Sequence, residues 1–150
     1  MSKQAEADLI LKLYELRREP VMREARTWFF TFNPKTIDDF TEVLTSDKSG
    51  YYRMVTSYWD MAASLVNNGA IDAKMFHDAN GEHVFVYAKV EPFLEELRAT
   101  GNPESLVHLE KLVKEMPNGE ARLKFVRERV QKLIEMAQMR AAAKAAAAEA

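Results

Sequence analysis

No cysteine occurs among the 150 residues of this chain, so disulfides, thiolate metal sites and cysteine nucleophiles are excluded together. Glycine and proline are scarce, at five each, which argues against a loop-rich sandwich or a disordered chain and points to long elements. The formal net charge is only −2, from 23 acids and 21 bases, so no global field draws a polyanion and nucleic acid is not an expected partner. Nothing approaches the roughly 18 uninterrupted apolar residues of a membrane span. The polar stretch from Met1 to Asp8 has no signal-peptide apolar region, and the expected location is the cytoplasm.

What remains is an apolar share of 47% beside a charged share of 29%, the balance of one globular domain. A chain of this length can bury roughly two thirds of its unfolded surface. The apolar residues fall at helical spacing. Leu9, Leu13 and Leu16 form one stripe that Pro20 must end, and Val21, Ala25, Trp28 and Phe32 form the next, closed by Asn33 and Pro34. Thr36 and Asp39 make a capping pattern ahead of Ile37, Phe40 and Leu44.

From Tyr51 to Asn68 apolar side chains cover most of the helical circumference, which predicts a central helix ending at Gly69. Asp72 then caps a short helix with Met75 and Phe76. The run from Val84 to Val90 has strand-like composition, but no second such run exists to pair with it, so a helix broken at Pro92 is predicted. Asn102 and Pro103 predict a helix start for the stripe Leu106, Leu109, Val113 and Met116. The last segment carries a short heptad seam, Leu123, Val126, Val130, Leu133 and Ala137. An alanine-rich tail follows over 141–150, helical by propensity and without large side chains to anchor it.

The chemistry-bearing residues are few. Glu104 and His108 are one residue too far apart for the Glu-x-x-His motif of carboxylate-bridged di-metal sites, and the motif is unpaired, so no metal is expected. His77 and His108 read as exposed or half-buried helix residues. Glu82 and His83 are adjacent and do not face each other on a helix; the glutamate reads as a complement to the dipole of a first turn. No nucleophile turn, phosphate loop or dinucleotide fingerprint is present, and no cofactor is expected.

Asp60 is the exception worth following, since it interrupts an otherwise apolar series with Tyr58, Trp59 and Met61 beside it. A carboxylate removed from water needs a partner. Arg23, Arg26 and Arg98 are the candidate cations for a structural ion pair, and capping of a neighbouring helix is the other structural role. The functional alternative is a pocket for a small cationic or hydrogen-bonding ligand, lined by Trp28, Tyr58, Trp59 and Asp60.

The residues from Tyr58 to Arg98, with Trp59 and Asp60, the segment Ala63 to Gly69, Ile71 and Asp72, Phe76, Gly81 and Glu82, and Val90 to Pro92, resemble an uncharacterised family of small helical bacterial proteins, a domain of unknown function. The resemblance implies an aromatic and an acid on a central helix, then a glycine turn and a short helix. It implies no activity. Some members carry a membrane helix near the amino terminus, from which this chain departs.

The expectation is an all-α, compact bundle of about seven or eight helices, with residues 1–140 as one domain and a long C-terminal helix. Its expected role is a non-enzymatic interaction or scaffold module, associating with itself or a protein partner through that helix. The alternative is a small-molecule sensor with its pocket near Asp60.

Overall fold

The computed structural model describes residues 2–150. Nine α-helices and one 3-10 turn account for the regular structure among the described residues, with no strand. They are α1 (Lys3–Arg17), α2 (Pro20–Thr31), α3 (Ile37–Leu44), α4 (Ser49–Asn67), α5 (Ala73–Ala79), α6 (Glu82–Val90), a 3-10 turn (Glu91–Phe93), α7 (Leu94–Thr100), α8 (Val107–Glu115) and α9 (Gly119–Glu149).

Local chemistry accounts for most of the boundaries. The Ser2 hydroxyl accepts from the Ala5 amide to start α1, and the Glu19 carboxylate accepts from Met22 to start α2, where Pro20 occupies the first turn. Thr36 and Asp39 form the reciprocal capping box of α3. Helix α4 stops in a Schellman turn: the Gly69 amide donates to the Val66 carbonyl and the Ala70 amide to Leu65, both at 2.9 Å. Gly69 sits at φ +82°, where a side chain would be strained. Pro92 ends α6 in the 3-10 turn, which separates it from α7.

One boundary differs from the sequence expectation. Asn102 and Pro103 do not open α8; residues 103–106 form a turn, and the helix starts at Val107. Leu106, at the N-cap position, has φ 54° and no capping side chain, while its own side chain is buried. A leucine in the left-handed region costs on the order of 1 kcal/mol, so something else must secure this helix end. That something is Asp60, described below.

Helix α4 is the centre. It packs against α2 and α8 and also touches α3, while α6 joins α8 to α9. Its buried residues include Tyr52, Val55, Trp59, Ala62, Ala63 and Val66. Helix α6 is buried on nearly every side, which accounts for its strand-like composition: a helix inside a bundle needs apolar residues all round. The turn into α9 is tight. A Cβ on Gly119 would come within 2.6 Å of the Val113 carbonyl oxygen, so only glycine fits there.

Candidate functional site

Asp60 is half-buried on α4, and its Oδ1 accepts from the backbone amides of His108 at 3.1 Å and Leu109 at 2.9 Å. These are two of the amides that the first turn of a helix leaves without an internal partner, so Asp60 caps α8 from another helix and meets the positive end of its dipole. Two turns along α4, the Asn67 side-chain amide donates to the His108 carbonyl at 3.0 Å and pins the same turn.

The ion pair expected between Asp60 and an arginine is therefore corrected. Arg23 is exposed, Arg26 binds Glu82, and Arg98 donates to the Ser105 carbonyl and to Glu110. The amides of α8 point at the carboxylate along its own approach.

Nor do Trp28, Tyr58, Trp59 and Asp60 converge on one ligand pocket. Trp59 is buried, and its indole N–H donates to Glu82 Oε2 at 3.0 Å. The Tyr58 hydroxyl donates to the Leu13 carbonyl on α1. Trp28 stacks on Phe32 with ring centroids 5.1 Å apart and lines a separate cleft with Pro34, Asp39, Asp47 and Lys48.

Sequence reasoning missed the polar centre that Trp59 joins. The Glu82 carboxylate receives Arg26 through both Nε and Nη2, at 3.0 to 3.1 Å, as well as the Trp59 indole. The Arg17 guanidinium lies 5.3 Å over the rings of both Tyr14 and Trp59. Beside this centre, His83 is fully buried and stacks on half-buried His77, with His77 Nδ1 and His83 Nε2 3.0 Å apart. Burial, then the nearby His77 and Arg122, push the His83 imidazole down to about 3, so it is neutral in the fold. Burial lowers His77 as well. Among the described residues no group of three or more histidines and carboxylates is arranged to hold a metal ion.

Lys89 was also missed. Only 7% of it is exposed, and its Nζ donates to the carbonyls of Phe29 at 2.8 Å, Phe30 at 3.1 Å and Phe32 at 2.9 Å. These carbonyls belong to the C-terminal end of α2, where the helix dipole is negative and acceptors lack internal partners. The ammonium also lies 4.6 Å over the Phe85 ring. Burial pushes Lys89 down to about 8, while the three carbonyls act the other way by favouring the charged form.

Lys89 forms part of the floor of a groove between α9 and the ends of α2 and α6. Phe30, half exposed, packs on Phe85 with centroids 4.8 Å apart. Two clefts share this pair and Leu133: one of about 370 Å³ that Phe125 and Arg129 also line, and one of about 300 Å³ reaching Lys89, Val130 and Ile134. Within the heptad seam, Leu123 is buried and Val126 and Val130 are half-buried, while Leu133 and Ala137 are exposed. The first half of the seam thus packs against the body of its own chain. A two-sided period says a helix has a partner, and leaves open that the partner is α6.

A family model for a domain of unknown function, DUF4760, matches residues 4–116. The chain belongs to this family. The matched segment spans α1 to the end of α8, so the polar centre at Glu82, the Asp60 cap and Lys89 all lie within the DUF4760 domain, whereas α9 lies beyond it. No match was found among curated proteins or among solved structures. Among the described residues no helix is long and apolar enough to cross a membrane.

Proposed function

We propose that this DUF4760 protein is a non-enzymatic interaction module, in which the family domain is a rigid platform and α9 is the handle for association. The observation that carries the reading is the contrast in commitment along the chain. Inside the domain the conspicuous polar side chains are engaged with other helices: Asp60 with α8, Lys89 with α2, Glu82 with Arg26 and Trp59. Along α9 the large apolar side chains Phe125, Leu133, Met136 and Met139 are 45% to 72% exposed. Large apolar side chains left exposed together on one helix are a mark of interaction surfaces in stable proteins.

The small-molecule reading around Asp60 is the weaker of the two, because Asp60 Oδ1 already accepts two amides of α8 and the Trp59 indole is committed to Glu82. A catalytic reading finds little to rest on, since the serine and threonine hydroxyls that donate hydrogen bonds among the described residues do so to backbone carbonyls and not to a histidine or carboxylate.

The test is a deletion of residues 132–150, which removes the exposed half of α9 and leaves Leu123 in the core. Circular dichroism and thermal melting should report an intact domain. Sedimentation velocity, on the purified chain alone and after mixing with extract of the source cells, should show assembly by the full chain and none by the deletion. A full chain that stays monomeric and gains no mass in extract overturns the proposal.

A further inference from the structure

The exposed side of α9 has a composition that selects among partners. At the three-and-four spacing of one helix face lie Arg122, Phe125, Arg129, Lys132, Leu133, Met136 and Arg140. The acids of this helix, Glu120, Glu128, Glu135 and Glu149, fall on other faces. Arg129, Lys132 and Arg140 have no ion-pair partner among the described residues, and all three are exposed. Arg127, on another face of the helix, is by contrast paired with Glu91 at 2.8 Å. The stripe interleaves large apolar and cationic side chains, with Arg129 between Phe125 and Leu133, and is free of acids for about 27 Å of helix.

Its setting is concave. Phe125, Arg129 and Leu133 line the 370 Å³ cleft together with Phe30 and Phe85. Glu82 borders the same cleft, but its carboxylate is engaged by Arg26 and Trp59, which leaves the cleft with uncommitted positive charge only.

We infer that this groove, between the exposed stripe of α9 and the Phe30–Phe85 pair, docks an amphipathic helix of a different protein whose apolar face is flanked by aspartate and glutamate. The inference rests on the interaction reading above and names the partner's chemistry. Helix-in-groove recognition uses apolar anchors at i, i+3, i+4 and i+7, and Phe30, Phe85, Phe125 and Leu133 give the cleft the apolar walls that receive them. The unpaired Arg129, Lys132 and Arg140 give acidic flanks their partners and reject basic ones.

A second copy of the chain is a poor occupant, because pairing two such stripes in either direction sets Arg122, Arg129, Lys132 and Arg140 against their own kind. A lipid surface is a poor occupant too. A flat bilayer cannot fill a cleft walled by Phe30 and Phe85.

The experiment is a displayed library of helical peptides with a fixed leucine stripe and flanking positions randomised among glutamate, lysine and glutamine. It is selected on the full-length protein and on the double variant Arg129→Glu with Lys132→Glu. Both substituted residues are exposed, and circular dichroism confirms that the variant folds.

Glutamate flanks should be enriched on the wild-type protein and lysine flanks on the variant. A synthetic acidic winner should bind the variant about tenfold more weakly than the wild type. It should also protect Phe125, Leu133 and Met136 in methyl and aromatic nuclear magnetic resonance spectra.

No enrichment, or enrichment blind to charge, overturns the inference. So does stripe-dependent binding to phosphatidylglycerol vesicles without peptide selection, and so does a dimer abolished by the charge reversal. The last outcome would leave the wider reading of α9 as an association handle standing, whereas loss of all assembly by α9 would remove both.

Discussion

The DUF4760 domain and α9 use the same kinds of residue to different ends. In the domain, a lysine among aromatics is buried against three carbonyls, and an aspartate beside a tryptophan holds two amides of another helix. On α9, Arg129, Lys132 and Arg140 stand beside phenylalanine and methionine, exposed and without an ion-pair partner among the described residues. Charge inside the bundle completes helix ends that would otherwise lack partners. Charge on the outer helix is left available, and so is the apolar surface next to it.

The sharpest way to break this comparison is at Lys89. Lys89→Met keeps the length and apolar stem but removes the ammonium from three carbonyls at the end of α2, of which Phe29 keeps the Phe32 amide as a donor, at a cost of about 2 to 3 kcal/mol. Chemical denaturation should show this as a lower midpoint with an unchanged slope. A loss near zero would mean that water serves those carbonyls as well as the ammonium does.

Asp60 should come next. Asp60→Ala removes the cap of α8 and should cost about 1 to 2 kcal/mol, while Asp60→Asn retains an acceptor and should cost only a few tenths. Equal losses in the two variants would point to the charge, not the hydrogen bonds, as the source of stability.

The histidine pair adds a pH dependence. The folded state holds His83 far below its ordinary value, so the unfolded chain binds a proton that the folded chain refuses once pH falls below about 6.5. Stability is fully present above that value and is lost as pH falls from there toward about 3, with a slope on the order of 1 kcal/mol per pH unit from this group. Denaturation midpoints measured against pH should show that slope in the wild type and a shallower one in His83→Gln. Parallel profiles would assign the acid sensitivity to other groups.

The smallest stability effects belong to α9. Phe125→Ser and Met136→Ser remove exposed side chains and should shift stability by no more than about 0.5 kcal/mol while weakening association. Thermal melts and sedimentation on the same samples separate the two effects. A large melting shift would mean that these residues serve the fold after all.

Much of the fold was legible because it is local. Pro20, the Thr36 and Asp39 box, Gly69 and Pro92 each act within a turn of where they stand, and the elements they delimit are found where the sequence puts them. Val84 to Val90 could be assigned to a helix despite its composition because a strand needs a partner, and none was available. The start of α8 was misplaced for the opposite reason. Its capping residue lies 48 positions earlier, at Asp60, so Asn102 and Pro103 could mark a turn without opening the helix.

The candidate site was less legible for the same cause. The pairing of Arg26 with Glu82 crosses 56 positions, and that of Lys89 with Phe29 crosses 60. No periodicity within α2 or α6 encodes either contact. The seam on α9 was visible as a pattern, yet the pattern could not say that Leu123 and Val126 would be taken up by the chain itself while Leu133 remained outside.

By itself the sequence determined that the chain is all helix, where most helices start and stop, and which faces are apolar. Those properties follow from backbone geometry and hydrogen bonds that reach three or four residues. Only the tertiary structure decided which charge finishes which helix end, and which apolar stripe is left over. Those pairings depend on helix directions and distances set by packing around α4.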